Sequence, residues 1–159
     1  MTRRIYQRAY RIKMRSKSNN EADPNKNVCA LTVAKVLCCD QQTRYLHNWQ
    51  DLQRAIRSLW SMRSVKSYVK ATPDSTVGSL RKAMNDYATK EQRLAAYVIR
   101  VEGHVLMIDR DGKTLIDTAP RKRDSRKVLD IAGVYVPDNR AKLEALTRAS
   151  EARVAEIER

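Results

Sequence analysis

Three side chains in this sequence have the types and the order that thiol-based acyl transfer requires: Cys29, His104 and Asp117. A cysteine attacks as its thiolate, so it needs a lowered pKa, a base nearby and donors for the oxyanion that forms on the substrate. A helix N-terminus offers two of these. Its first N–H groups have no partner within the helix, and its dipole favours negative charge. Asn27 has the type of an N-cap, and Ala30, Leu31, Val33, Ala34 and Leu37 follow it at helical spacing. That pattern predicts a helix over 28–38 with Cys29 in its first turn. Cys38 and Cys39 fall at the other end, where the dipole opposes a thiolate. The competing reading of Cys29 is a small buried core residue, the common role of a helical cysteine.

A base has two candidates, since the chain holds two histidines. His47 precedes a second helix and reads as a solvated or capping residue, whereas His104 follows Gly103 at the start of a strand. The Asp111-Gly112 step is a strong hairpin signal. If it forms a two-residue turn, 109 faces 114, 108 faces 115 and 106 faces 117. His104, Leu106 and Ile108 then share a face with Leu115 and Asp117, and Asp109 points the other way. Asp117 becomes the diagonal neighbour of His104, about 7–8 Å away at backbone level, within reach of the ring. Nucleophile, base and orienter would thus all be present.

The elements that must position these residues follow from periodicity. Helices are predicted over 28–38, over 48–60 with Asn48 as cap, and from Ser75 or Thr76 to Tyr87. The stretch 61–75 reads as irregular. The period then changes to that of strands: AAYVIRV, HVLMID, KTLIDT and VLDIAGVYV, four in all, separated by Glu102-Gly103, Asp111-Gly112 and a basic loop over 119–127. A last helix, capped at Asp138 or Asn139, has a thin apolar stripe and is expected to project toward a partner. Helices first and an antiparallel meander afterwards give the α+β class. The expected organisation is a basic arm at 1–18, one domain over 19–137 and a C-terminal helix over 138–159.

The stretches NVCALTVAKVL and GHVLMIDRDGKTLIDT carry a resemblance. A cysteine opening an apolar helix, a Gly-His opening a strand, and an Asp after a short hairpin are similar to the papain-like cysteine-peptidase fold in its small form. More narrowly, the chain resembles small papain-like proteins encoded by tailed bacteriophages. TVGSLRKAM, YVIRVEGHV and the basic stretch before the last strand fit the same pattern, so the likeness spans roughly 27–136. It implies N-terminal helices packed on a small antiparallel sheet of about four strands. It also implies Cys29 as nucleophile, His104 as general base and acid, and Asp117 as orienter. Such enzymes place a Gln a few residues before the cysteine as an oxyanion donor. Here the amides available are Asn25 and Asn27, beside the backbone N–H of Cys29.

The bulk composition bounds the partners. A net charge of +14 over 159 residues favours polyanionic company. The arm holds Arg3, Arg4, Arg8, Arg11 and Lys13 with Tyr6 and Tyr10 interleaved, and the basic loop holds Arg121, Lys122 and Arg123. These are candidate phosphate contacts. No apolar run approaches the roughly 18 residues of a membrane span, and no secretory signal opens the chain. Three cysteines, two of them adjacent, match neither a disulfide framework nor a common zinc pattern. The expectation is a cytoplasmic protein (of the host cell or in a virion, if phage-encoded) without membrane, metal or cofactor. Two functions compete. One is a cysteine hydrolase acting on a protein substrate. The other is an inactive scaffold that binds nucleic acid or an assembly partner.

Overall fold

The computed structural model describes residues 28–40, 46, 48–117 and 124–158. The arm at 1–18, Asn25, Asn27, His47 and the loop residues Arg121, Lys122 and Arg123 lie outside them. The chain divides into two compact units, one from 1–61 together with 136–159 and the other from 62–135.

The described elements of the first unit are mainly helices. Helix α1 (Val28–Val36) turns Ala30, Val33 and Ala34 into the core. It ends two residues earlier than its apolar pattern predicts. Cys38 adopts φ 60°, the Cys39 N–H reaches the Ala34 carbonyl at 2.9 Å, and the Cys38 N–H reaches that of Lys35 at 3.1 Å. This is a Schellman closure, with cysteine where glycine is usual. Helix α2 (Trp49–Arg57) starts at Asn48, whose side chain accepts the Asp51 N–H at 2.8 Å. Leu52, Ala55 and Ile56 are its buried face. Trp60, just beyond it, is buried and donates its indole N–H to the Leu37 carbonyl at 2.8 Å, satisfying the end of α1.

The C-terminal helix, the fourth of the described helices, is α4 (Arg140–Glu158). It does not project. Leu146 is buried, Lys142 donates to the Arg57 carbonyl at the end of α2 at 2.9 Å, and Arg153 pairs with Asp40. Long basic side chains hold it where its stripe is too thin to do so by apolar burial alone.

The second unit is α+β. Helix α3 (Val77–Lys90) opens with a capping box: Thr76 accepts the Ser79 N–H at 3.1 Å, and Ser79 accepts the Thr76 N–H at 2.9 Å. The strands are β1 (Ser61–Ser64), β2 (Leu94–Val101), β3 (His104–Asp109), β4 (Thr114–Ile116) and β5 (Asp130–Tyr135). They form one sheet in the order β1-β5-β2-β3-β4. β2 runs antiparallel to both β3 and β5, and β3 runs antiparallel to β4.

Two expectations about the sheet are corrected. The described residues form five strands, because SMRS forms an edge strand. It is short, polar and mostly exposed, so it carries no alternation to read. The sheet is also not a simple meander, since β5 returns to pair with β2 rather than β4. β5 and β2 are nearly continuous apolar runs and take the central positions, whereas the three-residue, half-exposed β4 takes the edge. Val77, Leu80, Met84 and Tyr87 of α3 pack with Tyr97, Ile99, Leu106, Ile108 and Ile131 of the sheet.

Candidate active site

The β3–β4 hairpin is built differently from its expected form, yet it delivers the same pairing. The loop holds three residues, 110–112, with the Asp109 N–H bonded to the Lys113 carbonyl at 2.8 Å. Gly112 takes φ +83° while Asp111 does not enter the left-handed region, so a two-residue turn with two positive φ values does not form. The Asp109 carboxylate instead accepts the N–H groups of Asp111 and Lys113, each at 2.9 Å. This loop shifts the register by one, so that Ile108 faces Thr114. A bulge then restores it, and Met107 faces Ile116. Asp117, the next residue, lands on the side of His104.

The structure brings these two side chains together, His104 Nε2 lying 2.8 Å from Asp117 Oδ1. The His104 side chain is 13% exposed and that of Asp117 4%. An ionised carboxylate only accepts, so opposite it Nε2 is the donor of this pair.

Two further residues complete the cluster, and neither was expected. Arg126 Nη2 donates to Asp117 Oδ2 and to Asp124 Oδ2, each at 2.5 Å, and its Nε donates to Asp124 Oδ1 at 2.8 Å. The guanidinium thus bridges two shielded carboxylates. Its hydrogen bond holds the Asp124 carboxyl below its ordinary range, against the opposing effects of burial and of Asp117. Hydrogen bonding to Asp124, and then to Asp117, raises Arg126 further above its ordinary value against burial. In the sequence these residues stand inside PRKRDSRK, which reads as one solvated basic run. The available signal was an aspartate two residues from an arginine within it.

The start of α3 positions this segment. The Val77 and Gly78 N–H groups, which have no partner inside the helix, donate to the carbonyls of Arg126 (3.0 Å) and Asp124 (2.9 Å). Thr76 and Lys127 form an antiparallel bridge beside them. A Cβ on Gly78 would stand 3.0 Å from the Asp124 carbonyl oxygen, which would have to give way by a few tenths of an ångström.

Cys29 belongs to the first unit, where it is the second residue of α1 and 8% exposed. Cys38 and Cys39 are buried at the other end of that helix. Burial first, and the neighbouring Asp40 next, push the Cys39 thiol far above its usual range, so it stays protonated at neutral pH. Among the described residues no group of three or more His, Cys, Asp or Glu could hold a metal ion. No helix among them is long and apolar enough to cross a membrane. No family model, curated protein or solved structure matches the chain.

Proposed function

We propose that the chain is a cysteine hydrolase of papain-like type that cleaves a peptide or isopeptide bond. The observation that carries this reading is the shielded His104–Asp117 pair, with Nε2 2.8 Å from Oδ1. The likeness to small papain-like phage proteins supports it, as does the place of Cys29 in the first turn of an apolar helix.

In this reaction His104 Nδ1 takes the Cys29 thiol proton, and the thiolate attacks the substrate carbonyl carbon. The carbonyl π bond opens to an oxyanion, held by N–H groups at the start of α1 and by Asn25 or Asn27. As the C–N bond breaks, the imidazolium returns its proton to the leaving amine and a thioester remains. Water, deprotonated by His104, then attacks the thioester. The acid product leaves and the thiol is regenerated. Asp117 orients the ring throughout, and Arg126 holds Asp117 through its Oδ2.

The reading is tested by treating the protein with a limiting amount of a peptide vinyl sulfone and mapping the adduct by mass spectrometry. Cys29 is expected to be modified well before Cys38 and Cys39, and His104→Ala is expected to remove that preference. Equal modification of all three, or of Cys39 first, contradicts it.

A second reading, a nucleic-acid-binding or assembly scaffold, is favoured by one observation: the net charge of +14. Affinity for polyanions that falls steeply as salt rises would support it.

A further inference from the structure

An aromatic and cationic stack stands apart from the His104 cluster in the second unit. Tyr87 and Tyr135 share a hydroxyl–hydroxyl hydrogen bond of 2.5 Å. Tyr68 stacks on Tyr87, with ring centroids 5.3 Å apart and planes inclined by 26°. The Arg63 guanidinium lies 4.5 Å from the Tyr135 ring centroid and 5.9 Å from that of Tyr68. Arg63 also pairs loosely with Glu91 at 3.8 Å, and half of its side chain remains in solvent.

Tyr68 is 58% exposed, although a ring of this size usually buries its apolar face. Its backbone is held by a second Schellman closure, in which the Ala71 N–H reaches the Lys66 carbonyl at 2.9 Å and the Lys70 N–H reaches that of Ser67 at 3.4 Å. Lys70 occupies the left-handed position at φ 55°, where glycine is preferred. A lysine is therefore kept at some conformational cost on the turn that presents the ring. Lys66 and Lys70 are both exposed, and no acid occurs between Ser61 and Pro73.

We infer that Tyr68 is a stacking platform for a base of single-stranded nucleic acid, with Arg63, Lys66 and Lys70 taking the flanking phosphates. A ring pre-ordered by Tyr87 and Arg63 loses little freedom on binding, and aromatic stacking with adjacent cations is the general chemistry of single-strand recognition. A protein partner fits less well. Tyr68 and Leu129 are the exposed large hydrophobic residues among those described, and a protein interface needs a wider apolar core than one ring in a cationic setting. The inference rests on the second reading above for its class of ligand, and it does not involve Cys29.

The test is fluorescence anisotropy with a labelled oligothymidylate about 15 nucleotides long, a span near the site sizes of single-strand binders. The full chain is expected to bind it. Tyr68→Ala is expected to weaken binding roughly tenfold or more, the loss of one stacked base, while Tyr68→Phe keeps affinity within about twofold. Lys66→Ala with Lys70→Ala is expected to flatten the salt slope by about 1.4, two phosphate contacts on a single strand. Thermal melts of each variant separate loss of binding from loss of fold. Photocrosslinking with bromodeoxyuridine is expected to attach at Tyr68. Parent-like affinity in Tyr68→Ala, or crosslinks confined to other segments, overturns this platform while leaving a basic binding protein intact. Equal competition by polyglutamate assigns the binding to charge alone and also overturns it. No binding even at low salt removes both the platform and the scaffold reading, and vinyl sulfone modification of Cys29 stays independent of each result.

Discussion

Asp117 serves two partners at once, and this decides what each nearby substitution does. Asp117→Asn keeps an oxygen that can serve Arg126 and presents its NH₂ to His104, which can accept on Nε2 only by carrying its proton on Nδ1. It is expected to lower stability by about 1–2 kcal/mol, the difference between hydrogen bonds to a charged and to a neutral group, and to slow Cys29 modification by putting the proton on Nδ1. Arg126→Met is expected to cost more, about 3–5 kcal/mol, because it leaves two shielded carboxylates facing each other without a cation. Urea unfolding orders the two, and the reverse order would show that Arg126 contributes little. Asp124 adds a pH signature. Its folded pKa lies below the ordinary carboxylate value. Its stabilisation is therefore complete above the unfolded pKa of about 3.9 and is lost as pH falls through the lower folded value. Asp124→Asn is expected to flatten the acid limb of the stability curve below about pH 4 and to lower stability above it.

The pairing of His104 with Asp117 was legible because the bulge in β4 cancels the slip of the turn and restores the faces that strand alternation implies. The bridging role of Arg126 was not, because a charge in a basic run has no periodicity to reveal its burial.

At the scale of elements, the hairpin shows how local chemistry and long-range geometry can disagree and still converge. The Asp-Gly signal located the turn, but its loop length depends on which residues accept positive φ. Only Gly112 does so here, and the resulting one-residue slip is absorbed by the bulge in β4. Gly112→Ala is expected to cost about 1–2 kcal/mol, the penalty of a side chain in the left-handed region, and to reduce Cys29 modification by displacing Asp117. A destabilised variant with unchanged Cys29 reactivity would separate the hairpin from the site. Gly78→Ala acts from the other side: its Cβ is expected to push the Asp124 carbonyl off the start of α3, changing the acid limb much as Asp124→Asn does.

The helices were largely visible from caps and stripes. The fifth strand and the return of β5 to β2 were not. An edge strand of four polar residues is defined by its partner, and strand order depends on which apolar runs can be buried on both faces.

At the scale of the whole molecule, the division into two units puts the thiol and the imidazole on different parts of the chain. The proposed reaction requires them to meet. The charge of +14 is a property of the entire chain, and its consequences belong to association and solubility rather than to fold. The measurement that tests the hydrolase reading most directly is the pH dependence of Cys29 alkylation by iodoacetamide, in the parent and in His104→Ala, with site occupancy read by mass spectrometry. The parent is expected to react well below the ordinary cysteine pKa of about 8.5, and His104→Ala to revert to a single ionisation near that value. Superimposable profiles for the two proteins would contradict it.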